Sequence, residues 1–365
     1  MMTMRELTYQ VSFNTPAFLG NAEQQAQWRT PPFKALLRQW WRVVKAQKVG
    51  YDHKRLLAAE NALFGSALDG EGSSRSKVQL RLSAWDGQVQ DMVSKGEQID
   101  HPESPTKKVG ANTYLGYGPI GAGADRSALV ANGDSLSLSL RLPTEFESEV
   151  RDAMHLAHWF GALGSRSRNG WGAVNVRLKS DGKLVSRKLT ADALLKMAVV
   201  QSVDACLSRD WPHAVGIRKD GALAVWLLEG HLQNGFSKWE DAMLQLAKIK
   251  VAVRTSPFFD FGGGGKGGHD APTPRHLLSY PSGNSHVVTP WGKDARMANQ
   301  IRFKVHKRPD GKFTAVIVHL PCAVPEPLAS KVKFGMPDQK AIWAEAHRLL
   351  DAQSVNGLIR LPRAI

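Results

Sequence analysis

The sequence predicts an α+β protein, because strand-like and helix-like patterns follow one another in a regular order along its 365 residues. Several short segments alternate apolar and polar residues, which is the period of a half-buried strand. Other segments repeat their apolar residues every three or four positions, as an amphipathic helix does. A single core rarely grows beyond about 250 residues, so a chain of this length is expected to form two domains.

The first half contains the element order β-α-β-β-α-β. The first strand is predicted at LTYQVSF, and the first helix follows at TPPFKALLRQWWRVVKAQ. Two more strands are predicted at SKVQLRLSAW and SLSLSLRL, then a helix within PTEFESEVRDAMHLAHWFGALG and a fourth strand at GAVNVRLK. This order is that of a ferredoxin-like unit, which RRM-type RNA binders also use.

The second half predicts another α+β unit of similar kind. Helical patterns occupy ADALLKMAVVQSVDACL, SKWEDAMLQLAKIKVAVR and DQKAIWAEAHRLLDA, and GALAVWLLE is extended. The strands NQIRFKVHK and KFTAVIVHL are joined through RPDG, which predicts a hairpin. We therefore predict two ferredoxin-like (RRM-like, βαββαβ) domains with Gly-rich loops. The N-terminal domain covers 1–180 with an insertion at about 86–134, and the C-terminal domain covers 181–365.

Charge gives the strongest indication of a binding partner. Lysine and arginine number 48 against 33 aspartate and glutamate residues, a net charge of +15. A folded protein this basic is expected to bind a polyanion, and nucleic acid is favoured over a membrane surface. No apolar run approaches the roughly 20 residues of a membrane span. The two cysteines, Cys206 and Cys322, fit a reducing compartment, so a cytoplasmic location is expected.

Motifs for catalysis, metals and nucleotide cofactors are weak. GYGPIG has the glycine spacing of a dinucleotide fingerprint but carries a proline and lacks the strand-turn-helix context. FGGGGKGG, at 261–268, lacks the first glycine and the Ser/Thr of a phosphate loop. His155 and His158 have helical spacing without an evident third metal ligand. We predict no catalytic residue, no metal and no cofactor.

Two segments carry candidate RNA-binding residues. On the first helix, Lys34, Arg38 and Arg42 form a cationic ridge, and Trp41 at its border could stack on a base or pack under a neighbour. In the loop GALGSRSRNGWGAV, the planar guanidinium groups of Arg166 and Arg168 suit phosphate. The neighbouring glycines would let backbone N–H groups approach a sugar-phosphate chain; they are Gly164, Gly170 and Gly172. A solvated basic helix face and an ordinary glycine-rich turn are the alternatives.

Three segments together resemble the RAMP (repeat-associated mysterious protein) superfamily, and within it the first Cmr subunit of the type III-B CRISPR-Cas effector complex. They are TPAFLGNAEQQAQWRTPPFKALLRQWWRVV, then ALFGSA with SSRSKVQL, and the loop GALGSRSRNGWGAV. The resemblance covers about 1–178. Weaker similarity continues through PTPRHLLSYP, RMANQIRFKV and FTAVIVHLP.

The resemblance implies a subunit that contacts CRISPR guide RNA near its 3′ end, target RNA and other Cmr RAMP subunits in antiviral defence. It also implies that target cleavage belongs to a different subunit, so this chain is expected not to be an enzyme. The alternative is a RAMP-fold, metal-independent endoribonuclease that processes CRISPR precursor RNA, with His53 or His158 as a general base. A purely architectural subunit is a third hypothesis.

Overall fold

A computed structural model of the chain describes residues 3–66, 73–123, 125–230, 234–261, 267–282 and 286–362. Its mixture of helices and strands confirms the predicted α+β class. None of the helices in these ranges is both long enough and apolar enough to cross a membrane.

The helices and strands are numbered here in chain order. The strands are β1 Met4–Phe13, β2 Gln79–Leu82, β3 Val89–Gln90, β4 Gln98–Asp100, β5 Lys108–Gly110, β6 Tyr117–Gly118, β7 Ile120–Gly121, β8 Ala128–Leu129, β9 Leu136–Pro143, β10 Val174–Ser180, β11 Lys183–Val185, β12 Val200–Ser202, β13 Val215–Ile217, β14 Val225–Leu228, β15 Gly267–His269, β16 His286–Val288, β17 Ile301–Lys307, β18 Phe313–His319 and β19 Leu358–Arg360. The helices are α1 Thr30–Ala46, α2 His53–Phe64, α3 Ala111–Gly116, α4 Glu147–Phe160, α5 Ala191–Lys196, α6 Val203–Cys206, α7 Trp239–Arg254, α8 Pro274–Leu278, α9 Glu326–Ala329 and α10 Gln339–Asp351.

The first half forms one antiparallel sheet in the order β11-β10-β1-β9-β2. Strand β1 lies between β9 and β10, and its alternating apolar residues face α1 and α4. The same period in β9 turns its leucines toward the helices and its serines to the opposite face. Each predicted strand and helix of this half is therefore confirmed, with one face of the sheet buried and the other polar.

Two local predictions need correction. The helix α2 was not predicted, although it packs against α1 and supplies a buried carboxylate described below. The single helix predicted at ADALLKMAVVQSVDACL is divided into α5, β12 and α6. It breaks because Ala198 adopts a positive φ of 55° and the β-branched Val199 and Val200 follow.

The second half forms another antiparallel sheet, in the order β17-β18-β14-β19. The predicted RPDG hairpin joins β17 to β18, and α7 and α10 cover one face of the sheet through a separate hydrophobic core. Five of the glycine-rich residues, 262–266, lie outside the described residues. The boundary between domains at 180/181 stays a prediction.

Strand β17 ties the second half to the first. The ammonium group of Lys304 donates to the carbonyl oxygens of Ala157 and Val174, at 3.0 and 2.5 Å. The Ala157 carbonyl oxygen also accepts from the Gly161 N–H at 2.9 Å, so Lys304 is its second donor at the C-terminal end of α4. The Asn14 amide donates to the Val305 carbonyl oxygen across 3.0 Å. The two sheets are thus held together beside the C-terminal end of α4.

Candidate nucleic-acid interface

The predicted cationic ridge of α1 is partly neutralised. Arg38 Nε donates to Glu60 Oε1 at 2.6 Å, and Arg42 Nη2 donates to the same oxygen at 2.7 Å. The Glu60 side chain is only 2% exposed, whereas the two arginines are about one-third to one-half exposed at 32% and 44%. Lys34, the third residue of the ridge, has its pKa lowered by burial and then by Arg38. Arg38 and Arg42 therefore hold α2 against α1 through Glu60, and their remaining surface faces solvent.

Glu60 should make stability depend on pH. Burial alone would raise the pKa of this carboxyl, but hydrogen bonds from Arg42 and Arg38 outweigh burial and lower it. A carboxylate whose folded pKa is depressed stabilises the fold above its unfolded pKa, near 4.3, and loses that contribution as pH falls through the folded pKa.

We expect Glu60→Gln to lower the free energy of unfolding by about 2 kcal/mol at neutral pH, because it removes a buried charge that two arginines share. Below the ordinary glutamate pKa the difference from the parent should shrink. Urea unfolding at a series of pH values measures this. Glu145→Gln, on an exposed residue without an ion pair in the described ranges, is the control. A loss of unfolding free energy that is the same at every pH would show that Glu60 stabilises the fold through packing and not through its charge.

Trp41 cannot stack on a base in this structure. Its side chain is fully buried, packs edge-on against Phe64 and donates through Nε1 to Glu149 Oε2 at 3.2 Å. The sequence placed Trp41 at the border of the helix face, but α2 and α4 cover that border. The prediction that Trp41 is available to RNA is therefore wrong for this structure.

The glycines of the loop 161–174 accommodate protein rather than open space. A Cβ on Gly172 would lie 1.9 Å from the Leu163 carbonyl oxygen, and one on Gly170 would lie 2.7 Å from Met243 Sδ. Both residues are buried. Gly164 is exposed, but a Cβ there would lie 2.5 Å from the Phe18 carbonyl oxygen. Gly170 and Gly172 are thus required for packing and do not present their backbone to RNA.

The two arginines of the loop, Arg166 and Arg168, lie in different environments. Arg168 is half-buried, and its carbonyl oxygen accepts from Phe303 N–H at 2.9 Å. This bond joins the loop to β17 in the second half of the chain. Burial and then the nearby Arg168 lower the pKa of Arg302 to about 9. Arg166 is exposed, with a positive φ of 58°, and lines a cleft of about 850 Å³ with Arg126 and Gly118. Of the predicted loop residues, Arg166 is the one that a phosphate can reach most directly.

The outer face of the first sheet is polar along its length. The β1 residues that point away from the helices pair with polar residues of β9 and β10, as in Gln10 with Arg177 and Thr8 with Ser139. Cations outnumber carboxylates on this face. The residues are Gln79, Arg81, Ser137, Ser139, Arg141, Glu6, Thr8, Gln10, Ser12, Asn175, Arg177 and Lys179.

A cleft of about 920 Å³ opens where this polar face meets the β17–β18 hairpin. Its lining has five cationic side chains and two carboxylates. They are Arg177, Arg187, Lys188, Lys307 and Arg308, with Asp134 and Glu229. Arg187 and Arg308 have aspartate partners at 3.7 and 3.0 Å. Within the described ranges, Arg177, Lys188 and Lys307 lie beyond 4.0 Å of any carboxylate oxygen and can pair with an external anion.

Two histidines from different halves form part of the floor of this cleft. The rings of His158 on α4 and His306 on β17 are 5.6 Å apart between centroids and stand at 70°. Burial lowers the pKa of both, and nearby basic side chains lower it further: His306 and Lys304 act on His158, and Lys304 acts on His306. The pKa of His306 is about 3. Both rings are therefore neutral near pH 7.

Sequence reasoning missed this cleft. The signal it could have used is the polar half of each alternating strand pattern, such as the serines of SLSLSLRL, which mark a sheet face without an apolar cover. The contribution of Lys307 and His306 could not be found this way, because the two halves meet only in the folded chain.

Residues 11–175 match the RAMP superfamily model, which confirms that predicted resemblance for this segment. No curated protein matches the sequence.

Several solved structures are similar to this chain at low sequence identity. The crystal structure of Cmr1 from Pyrococcus furiosus in its apo form is 16% identical, with a TM-score of 0.44 over 86% of this chain and 87% of that one. A chain from the cryo-EM structure of the Type III-B Cmr-beta bound to cognate target RNA is 11% identical, with a TM-score of 0.44 over 94% and 99%. A second state of Cmr-beta, with AMPPnP and in the presence of ssDNA, gives 10% identity and a TM-score of 0.46 over 96% and 99%.

Proposed function

We propose that this chain, whose residues 11–175 match the RAMP superfamily model, is an RNA-binding, non-catalytic subunit of a type III-B CRISPR (Cmr) interference complex. The cleft between the polar sheet face and the β17–β18 hairpin carries the RNA-binding part of the proposal. Its cations without a carboxylate partner in the described ranges suit a phosphate backbone, and its hydroxyl and amide groups suit sugars. The segments that resemble the first Cmr subunit support the assignment to that complex.

We further propose that both halves are ferredoxin-like units. Each has the chain order β-α-β-β-α-β, with β1, β2, β9 and β10 in the first half. In both sheets the first strand lies between the third and the fourth, and the second strand is next to the third. Repetition of one strand order in two sheets supports a tandem arrangement of the same unit.

The proposed partners are guide RNA near its 3′ end, target RNA and neighbouring Cmr subunits. The cleft and the Arg166 surface are the proposed contacts with RNA. Arg38 and Arg42 remain half-exposed beside Glu60, so they can contribute charge without leaving their ion pair.

We also propose that the chain is not catalytic, and the lowered pKa values of two histidines support this. General acid–base cleavage of RNA needs a group that gives or takes a proton near neutral pH. His158 and His306 have strongly lowered pKa values, so neither ring provides an imidazolium at pH 7 and each neutral ring is a weak base. His53 is exposed at the start of α2, outside the lining of the cleft. These observations favour holding RNA over cutting it.

Arg177→Glu should weaken binding of single-stranded RNA by about tenfold at moderate salt, because it replaces a phosphate contact by a repulsion. It should also reduce the salt dependence of binding by about one phosphate contact. Fluorescence anisotropy of labelled RNA with the full chain, over a series of salt concentrations, measures both. Lys248→Glu is the matched control, since Lys248 is exposed on α7 and does not line the cleft. Equal affinities of the two variants would remove the cleft from the proposal.

A further inference from the structure

The hydrogen bonds of His158 determine where its ring proton lies. Its Nδ1 accepts from the backbone N–H of Val176 at 3.3 Å. An imidazole nitrogen that accepts cannot carry the proton of a neutral ring, so the proton is on Nε2. Nε2 has no partner in the described part of the chain. His158 therefore offers a hydrogen-bond donor to the cleft that it lines.

In His306 the other ring nitrogen, Nε2, is the one that bonds within the chain. Its Nε2 lies 2.8 Å from the Trp159 carbonyl oxygen, which can only accept, so Nε2 carries the proton. The neutral ring then has a free lone pair on Nδ1, and no described residue bonds to it. His306 therefore offers an acceptor next to the donor of His158, with 5.6 Å between the ring centroids.

We propose that His158 and His306 together bind a ribose 2′-hydroxyl, so that the cleft selects RNA over DNA. The inference rests on the proposed function, because it assumes that nucleic acid occupies the cleft. A hydroxyl both donates and accepts, and it can therefore bond to Nε2 of His158 through its oxygen and to Nδ1 of His306 through its hydrogen. A deoxyribose leaves both nitrogens without a partner, which costs affinity at a partly buried site.

The cleft lining favours the sugar over the base as the occupant of this floor. Apart from the two histidines, the aromatic ring in the lining belongs to Trp159, which is 2% exposed and provides no stacking surface. The nearby side chains are short and polar, as at Ser12 and Thr314. Cations without a carboxylate partner in the described ranges lie in the same lining, so a sugar-phosphate chain can place its phosphates and its 2′-hydroxyl there together.

The test uses two variants that keep each histidine's structural bond. In His158→Asn the side-chain oxygen replaces Nδ1 as the acceptor from Val176, and the Nε2 donor is lost. In His306→Gln the side-chain amide replaces Nε2 as the donor to Trp159, and the Nδ1 acceptor is lost. His155→Ala is the control, because His155 lies on the same helix outside this cleft.

Affinities of the full chain are measured for a mixed-sequence RNA oligonucleotide, its 2′-deoxy counterpart and its 2′-O-methyl counterpart. The parent should bind RNA about tenfold more tightly than either counterpart. Each cleft variant should lose that preference while its DNA affinity and melting temperature stay near the parent's, and His155→Ala should keep the preference. If the parent binds RNA and DNA equally, the inference is wrong, although a cleft sensitive to Arg177→Glu would keep the proposed function. If base identity changes affinity and the 2′ group does not, the pair reads a base edge and the inference is also wrong.

Discussion

Gly172→Ala is expected to destabilise the protein by about 4 kcal/mol or more, because the added methyl group has no room. Its Cβ would lie 1.9 Å from the Leu163 carbonyl oxygen, which is part of the backbone and cannot rotate away. Relief requires the loop to separate from its neighbours, which breaks the bonds from Leu163 N–H to Gly172 O and from Gly172 N–H to Pro16 O, each 2.9 Å long. The positive φ of 62° adds the usual cost of a left-handed alanine.

Gly182→Ala separates these two contributions. Gly182, in the turn between β10 and β11, has a similar φ of 75°, but apart from its chain neighbours no atom of the described residues lies within 4 Å of the position that its methyl group would take. It should lose only about 1 kcal/mol. Denaturant unfolding of both variants gives the comparison, and if Gly172→Ala fails to fold, soluble yield beside that of Gly182→Ala still ranks them. Similar losses in the two variants would contradict a packing role for Gly172.

The loop 161–174 has a glycine spacing that fits two different partners, an RNA backbone or the protein itself. Its glycine spacing, read in one dimension, indicates close approach of backbone to something, and a phosphate chain fits that pattern. The structure shows that the approaching groups at Gly170 and Gly172 are Met243 and Leu163 of the same chain. The sequence therefore indicated a close approach at these glycines but could not identify the partner of Gly170, because Met243 is distant along the chain.

Contacts between residues that are distant along the chain also explain why the environments of Arg38, Arg42 and Trp41 differ from the predicted ones. Strands β1 and β9 were predictable because one buried face imposes a period of two on the chain itself. The ion pairs of Arg38 and Arg42 depend on Glu60, and the burial of Trp41 depends on α2 and α4. Neither follows from the pattern of α1 alone, since a cationic helix face looks the same whether it meets water, RNA or a buried carboxylate.

The second large effect is expected from Arg177→Glu combined with Lys307→Glu, which should weaken RNA binding by about a hundredfold at moderate salt. Arg177 belongs to β10 in the first half and Lys307 to β17 in the second, and both line the same cleft. If one RNA strand crosses the cleft, the two side chains contact different phosphates. Their losses, about tenfold each, should then multiply, because contacts that share no partner act independently.

The double variant Lys196→Glu/Lys248→Glu changes the net charge by the same amount on exposed residues outside the cleft lining, and it should lose little affinity. Anisotropy titrations of the four-member cycle, from parent through both singles to the double, distinguish the possibilities. If the affinity losses of the two single variants multiply in the double variant, one RNA strand contacts both halves of the molecule. A double variant no weaker than either single would mean that the two cations hold the same phosphate, and an equal loss in the control pair would mean that overall charge, rather than this cleft, attracts the RNA.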